Sequence, residues 1–186
     1  LAEGVQLVIA IHEFFENPVK GIKCEKMGLF HKIDFKKKVI VAPQTGRIIS
    51  VGEIPDPVFS GKVLGDGIGI IPSESKVLAP VSGTVVQIAD TLHAICIQSD
   101  DGLEVLIHLG LNTVSLKGKG FKCHVKSGQH VSTGDLLMDM DIGFIQNEGL
   151  NVVTPCIITN MDIVKKLSTV SGSAVAGKTA VMEYNL

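Results

Sequence analysis

The feature that most constrains this chain is a short segment that occurs twice. Val41-Ala42-Pro43-Gln44-Thr45-Gly46-Arg47-Ile48-Ile49 lines up with Leu78-Ala79-Pro80-Val81-Ser82-Gly83-Thr84-Val85-Val86, and each copy reads as strand, glycine turn, strand. A later pair, Ser127-Gly128 with Val131 and Gly134, resembles Ser171-Gly172 with Val175 and Gly177. A solenoid needs at least about three such units, so two copies predict a duplicated β-sandwich. From Lys38 onward, β-branched runs alternate with Gly, Pro, Asn and Asp about every eight to twelve residues, an all-β rhythm. Strands are expected at Val39–Val41, Gly46–Val51, Thr84–Ile88, Ala94–Gln98, Glu104–Leu109, Leu136–Met140 and Val152–Thr159. One short peripheral helix is expected at Asn160–Leu167, with Asn160 as its cap and Asp162 in its first turn.

Composition fits one such domain. The 186 residues are 45% hydrophobic and 19% charged, enough for one core and short for two domains. Seventeen Lys+Arg against nineteen Asp+Glu leave a net charge of -2, which gives no electrostatic case for nucleic acid or an anionic membrane. Cys24, Cys96, Cys123 and Cys156 form no C-x-x-C pair, so reduced thiols in a cytosolic protein are expected rather than a disulfide frame or a structural zinc. Residues 1–27 share none of the β rhythm. They allow a short helix around Gln6–Phe15, ended by Asn17-Pro18. The apolar run Val5–Ile11 is too short to cross a bilayer and lacks the features of a signal peptide. Starting on Leu rather than Met, the chain is expected to be a fragment of something longer or to carry added residues.

Two glycine motifs are decoys. Gly172-Ser173-Ala174-Val175-Ala176-Gly177-Lys178-Thr179 satisfies the Walker A pattern, but Ala180–Tyr184 reads as a strand where a phosphate loop needs a helix. Gly65-Asp66-Gly67-Ile68-Gly69 precedes Ile70-Ile71-Pro72, where no helix can start, so a tight turn is expected there.

The residues with chemical potential are His93 and His108. The segment Thr91–His108 reads as a hairpin turning at Asp100–Gly102. With Asp100-Asp101 as the loop, His93 lies directly opposite His108; with Asp101-Gly102, the two are diagonal on one face. Only the intermediate register separates them. Two neighbouring imidazoles suit phosphoryl transfer: one attacks phosphorus and leaves readily, and the other steadies the phosphoryl oxygens. The alternatives at this point are two histidines that merely satisfy each other, or part of a metal site for which no third ligand is evident.

The resemblance to a known family is close. Met27-Gly28-Leu29-Phe30, Val41-Ala42-Pro43, Ile54-Pro55-Asp56-Pro57-Val58-Phe59, Gly65-Asp66-Gly67, His93, Leu106-Ile107-His108-Leu109-Gly110, Thr113-Val114, Leu116-Lys117-Gly118 and Thr159-Asn160-Met161-Asp162 occur in the order found in enzyme IIA of the glucose class, from the bacterial sugar phosphotransferase system. From Met27 to the C-terminus the chain is similar to that family. The resemblance implies an antiparallel β-sandwich with a duplicated, barrel-sandwich hybrid core and short peripheral helices. It divides the chain into a domain at 28–186 and a segment at 1–27, which is a linker, a leader or a remainder of expression.

The resemblance also implies a role for each site residue. His108 matches the phosphate-accepting histidine, His93 the histidine that hydrogen-bonds the phosphoryl group, and Thr91 the hydroxyl that orients it. Phosphate would arrive from the carrier HPr and leave to the cysteine of a IIB domain, in the cytoplasm, with no cofactor and no metal. A membrane IIC permease, to which such a domain can be tethered, would select the sugar. Val58, Phe59, Leu64, Leu106, Gly110 and Val114 match the docking surface, with Asp56 a rim acid. Asn112 replaces a second acid and Ala89 an aromatic, which puts docking strength in question. A regulatory binding module without phosphotransfer is the alternative. Lipoyl and biotinyl carriers are excluded because Met138-Asp139-Met140-Asp141 has no lysine, and zinc peptidases because no H-x-H pair exists.

Overall fold

Short runs bounded by turns pair best with their neighbours, and every strand pairing in the computed structural model, which describes residues 38–186, is antiparallel. The strands are β1 (Lys38–Val41), β2 (Gly46–Ser50), β3 (Asp66–Pro72), β4 (Lys76–Leu78), β5 (Gly83–Ile88), β6 (Ala94–Ser99), β7 (Glu104–His108), β8 (Phe121–Cys123), β9 (His130–Val131), β10 (Leu136–Met140), β11 (Thr154–Ile158), β12 (Lys166–Thr169), β13 (Gly172–Ala174) and β14 (Ala180–Asn185). Two short helices join them, α1 (Pro57–Ser60) and α2 (Ile142–Asn147). The main sheet runs β13-β2-β3-β11-β7-β6-β5-β9, and two smaller sheets run β1-β14-β12 and β4-β10-β8. The result is the expected antiparallel β-sandwich.

The duplication is visible in the hydrogen bonds. Val41 N–H donates to Pro80 O (3.0 Å) while Leu78 N–H donates to Pro43 O (2.8 Å). Val41 corresponds to Leu78 and Pro43 to Pro80, so exchanging the two copies maps one bond onto the other, the mark of a local two-fold axis. Gly177 N–H to Ala42 O (2.9 Å) and Gly134 N–H to Ala79 O (2.8 Å) repeat the relation. The small sheets match likewise, with β14 and β10 as central strands. Equivalent positions bury alike: Ile40 with Val77, Ala42 with Ala79, Ile48 with Val85 are all core. The turn glycines are required by close approach, since a Cβ on Gly46 would sit 2.2 Å from Ile71 O and one on Gly83 2.1 Å from Gln98 O.

The copies differ most in the connection after their second strand. Residues 51–65, with a 3-10 turn and α1, join β2 to β3, whereas residues 89–93 join β5 to β6.

Some expectations are corrected. Gly65-Asp66-Gly67-Ile68-Gly69 is not a tight turn: Asp66 opens β3, which the main sheet holds between β2 and β11. Gly69 is apolar-packed rather than turning, since a Cβ there would press on Ile49 and Ile54 at 2.9 Å. The helix expected at Asn160–Leu167 is only a 3-10 turn, Met161–Ile163, followed by β12. Asn160 does not cap it, because both ends of its side-chain amide are used elsewhere: Oδ1 accepts from Glu104 N–H (2.9 Å) and Nδ2 donates to Gly102 O (2.8 Å). The expected Gln6–Phe15 helix and the Met27–Phe30 stretch lie outside the described residues. Among the described residues, no helix is long and apolar enough to cross a membrane.

The Walker-like stretch forms β13, a turn and β14, with no helix. Its turn amides are already engaged. Val175 N–H donates to Thr179 Oγ1, Ala176 N–H to Thr45 Oγ1, Gly177 N–H to Ala42 O, and those of Lys178 and Thr179 to Val175 O. No nest of free N–H groups is left at residues 175–179 to cradle a phosphate.

Candidate active site

The β6–β7 hairpin ends on His108 and is entered directly from His93, and its far end is clamped. Asn160 ties Glu104 and Gly102 as described above, and the Asp101 carboxylate accepts from Tyr184 OH (2.7 Å) while pairing with Lys38 Nζ (2.9 Å). Hydrogen bonds from Ser99, Tyr184 and Lys38 outweigh partial burial and hold Asp101 below the usual carboxylate range.

The hairpin register is the intermediate one. Ala94 stands opposite His108 and Ile95 opposite Ile107, so strict alternation would separate the two imidazoles, as the sequence argument held for this register. They are not separated. The rings meet edge to face, with centroids 4.9 Å apart and planes at 75°. The alternation fails because His93 lies in the β5–β6 loop, after Leu92, whose φ is +56°.

Both rings are buried, His108 at 3% exposure and His93 at 6%. His108 Nδ1 lies 2.7 Å from Gly110 O. A carbonyl only accepts, so Nδ1 carries the proton and Nε2 keeps its lone pair. Thr91 Oγ1 lies 2.6 Å from His93 Nδ1, while His93 Nε2 is buried with no partner. Burial, reinforced by the neighbouring His93, drives the His108 pKa down to about 3 against the pull of the Gly110 carbonyl. Burial also lowers His93. Both rings are therefore neutral at pH 7, the state in which imidazole is a nucleophile.

Gly110 sets this geometry. Its φ is +76°, and a Cβ would meet Thr113 Cγ2 at 2.6 Å and Asn151 O at 2.9 Å. Thr113, wholly buried, donates from Oγ1 to Leu109 O (2.7 Å), and Leu111 N–H donates to Asn151 O (2.8 Å). Sequence reasoning placed Gly110 on the docking surface and missed Thr113 and Asn151 as supports. A glycine two residues beyond a strand-ending histidine was the available signal for the first. Nothing in the spacing marks Asn151.

The expected docking residues divide by exposure. Phe59 is 2% exposed and packs its ring on His108, centroids 5.2 Å apart at 63°. Leu106 is buried in β7. Phe59 thus bears on the site from within. Val58 and Leu64 are half-buried, and Asn112 and Val114 are exposed beyond the His108 strand end. Asp56 is half-buried and caps α1, its Oδ1 accepting from Val58 N–H (2.8 Å). Cys96, Cys123 and Cys156 are free thiols, and burial pushes Cys96 and Cys156 up to about 12, which leaves them inert.

A family model described as phosphoenolpyruvate-dependent sugar phosphotransferase system, EIIA 1, matches residues 38–164. The chain is 45% identical over 147 residues to the PTS system glucose-specific EIIA component of Buchnera aphidicola, covering 79% of this chain and 91% of that protein. It is 43% identical over 151 residues to the component of the same name in Bacillus cereus, covering 81% and 92%. Among solved structures, glucose permease IIA from Mycoplasma capricolum superposes with a TM-score of 0.75 at 36% identity, covering 84% of this chain and 99% of that one. With this sandwich and its matching sequence, the chain belongs to the EIIA 1 family of the sugar phosphotransferase system and is a phosphoryl carrier of that system.

Proposed function

We propose that this chain takes a phosphoryl group from phospho-HPr onto His108 Nε2 and passes it to the cysteine of a IIB domain. The observation that carries the reading is the Nδ1–H bond from His108 to the Gly110 carbonyl, which leaves Nε2 as the free lone pair beside a second imidazole. In the first step Nε2 attacks phosphorus in line, the N–P bond to the HPr histidine breaks, and that histidine leaves with the electron pair. In the second, the IIB thiolate attacks, and His108 recovers its lone pair. A stabilising role for His93 requires Thr91 to donate across its 2.6 Å contact with His93 Nδ1, which puts the single ring proton on His93 Nε2, where it is donated to a phosphoryl oxygen. That role gives the unpartnered buried Nε2 its acceptor. No cofactor is invoked. The domain is taken as residues 28–186 and its place as the cytoplasm, where a IIB domain and a IIC permease would draw on it. Half-buried Val58 and Leu64 with exposed Val114 form the apolar docking surface, and Asp56 stands on its rim.

Incubation with phosphoenolpyruvate, enzyme I and HPr tests this by mass. One added phosphate, labile in acid and stable in base, is expected. His108→Gln should take none, and His93→Gln should take phosphate but transfer it poorly. Labelling of His108→Gln but not of His93→Gln would reverse the assignment. Binding of HPr with no labelling of the parent would leave a regulatory module.

A further inference from the structure

We propose that Leu92 is a positioning residue for phosphoryl transfer, its left-handed backbone turning His93 onto the face of His108; this rests on the function proposed above. Three observations meet at this residue. The hairpin register sets Ala94 opposite His108, and period-two alternation then assigns His93 to the other face of the sheet. His93 nevertheless lies against His108 with ring centroids 4.9 Å apart. Between the regular strand β5 and the regular strand β6, one residue departs from ordinary backbone: Leu92, at φ +56°.

Backbone hydrogen bonds within and across the loop hold the departure in place. Leu92 N–H donates to Ala89 O (2.8 Å), Ala89 N–H to Ala94 O (2.9 Å), and Leu109 N–H to His93 O (2.7 Å). The first of these closes a turn of residues 89–92 whose last residue, Leu92, is left-handed, a position that hairpin loops ordinarily give to glycine. Here a leucine occupies it, half-buried and packed on the core. Non-glycine residues rarely adopt that angle, and such strain persists only where the surroundings over-determine it. The same rotation brings His93 Nδ1 within 2.6 Å of the Thr91 hydroxyl one residue before Leu92, so one backbone angle sets both the place of the donor imidazole and the partner of its Nδ1.

The rival explanation is that Leu92 serves only as a packed side chain. Backbone and packing make opposite rankings. Leu92→Val keeps an apolar side chain but is β-branched and resists a positive φ, whereas Leu92→Asn and Leu92→Gly lose the packing and adopt that angle freely.

The full-length chain is charged from phospho-HPr, and transfer to a purified IIB domain is followed by rapid quench, with each variant made in the parent and in the His93→Gln background. Leu92→Val should slow transfer about 10- to 100-fold, the loss expected when a reacting group is misplaced by about 1 Å. Leu92→Asn and Leu92→Gly, which accept the left-handed angle, should stay within about threefold of the parent. In the His93→Gln background Leu92→Val should add nothing, because the residue it positions is gone. A ranking by hydrophobicity, with Val near the parent and Asn slow, overturns the proposal, as does an undiminished Val effect without His93. If Leu92→Val does not fold, Leu92→Gly decides alone: near-parent transfer supports the proposal and a tenfold loss overturns it.

Imidazole nitrogen NMR of the unphosphorylated chain gives a readout independent of turnover. The His93 tautomer should be kept in Leu92→Asn and lost in Leu92→Val, and an unchanged Val spectrum overturns the proposal. Should the parent accept no phosphate from phospho-HPr, the proposed function fails while this spectrum still decides the role of Leu92.

Discussion

Acid should unfold this protein through its histidine pair before it does so through its carboxylates. His108 titrates near 6.5 when exposed and near 3 in the folded chain, because burial and His93 oppose its charge. Between those values the unfolded chain holds a proton that the folded chain does not, so stability is fully present above about pH 6.5 and falls as the pH drops. One group contributes a slope of at most about 1.4 kcal/mol per pH unit, so by pH 4.5 His108 alone should cost about 2–3 kcal/mol. His93, lowered in the same direction by burial, adds to the slope. Asp101 and Asp139 are held below 3.8, so their stabilisation is lost only as pH falls below that value. Glu104 is raised by burial, and its protonation slightly offsets the loss near pH 4.5. The assay is urea unfolding at pH 7.0, 6.0, 5.0 and 4.5 for the parent and His108→Gln. The variant should start from its own baseline and show a visibly shallower slope between pH 6.5 and 4.5. Parallel curves would mean that the folded protein accommodates a charged His108, and the electrostatic account of the site would be wrong.

Gly110→Ala should lower stability by about 2–4 kcal/mol in urea unfolding, from the left-handed backbone penalty plus overpacking against Thr113 and Asn151, and should slow labelling of His108. Phe59→Ala should cost about 3–5 kcal/mol, as a buried ring does, whereas exposed Val114→Ser should leave the unfolding midpoint within about 0.5 kcal/mol and weaken HPr binding in a titration. Asp56→Asn retains an N-cap acceptor, so stability should hold while the salt dependence of association with HPr becomes shallower in stopped flow. Lys178→Ala should change neither phosphotransfer nor nucleotide binding, and saturable micromolar ATP binding lost in that variant would contradict the engaged amides of its turn.

The duplicated frame was legible because its turn glycines are forced: any side chain at Gly46 or Gly83 strikes a neighbouring carbonyl, so the pattern survives in both copies. Strand β3 was hidden because Gly67, Gly69 and Pro72 read locally as punctuation, while the two glycines are constrained by close approach, Gly67 to the Cys156 carbonyl of β11 and Gly69 to the Ile49 and Ile54 side chains. The helix after Asn160 failed for a similar reason, since the capping side chain was already committed to a hairpin far away in sequence. The two histidines were found, but from registers that the hairpin does not adopt. A backbone angle at Leu92 restores what the register takes away, and no residue pattern announces a left-handed leucine.

The unequal connections between the paired strands bear on how such a carrier counts. A two-fold frame offers two equivalent edges, and symmetry alone would favour either two sites or none. The longer arm, residues 51–65, spends its extra length placing Phe59 against His108, so both halves converge on a single strand end. On the proposed reading the chain therefore has one slot, occupied or vacant. Its charged fraction should track the ratio of donor supply to acceptor demand in a plain hyperbolic way, with a Hill coefficient of about 1, because the described residues hold no second slot to couple with the first.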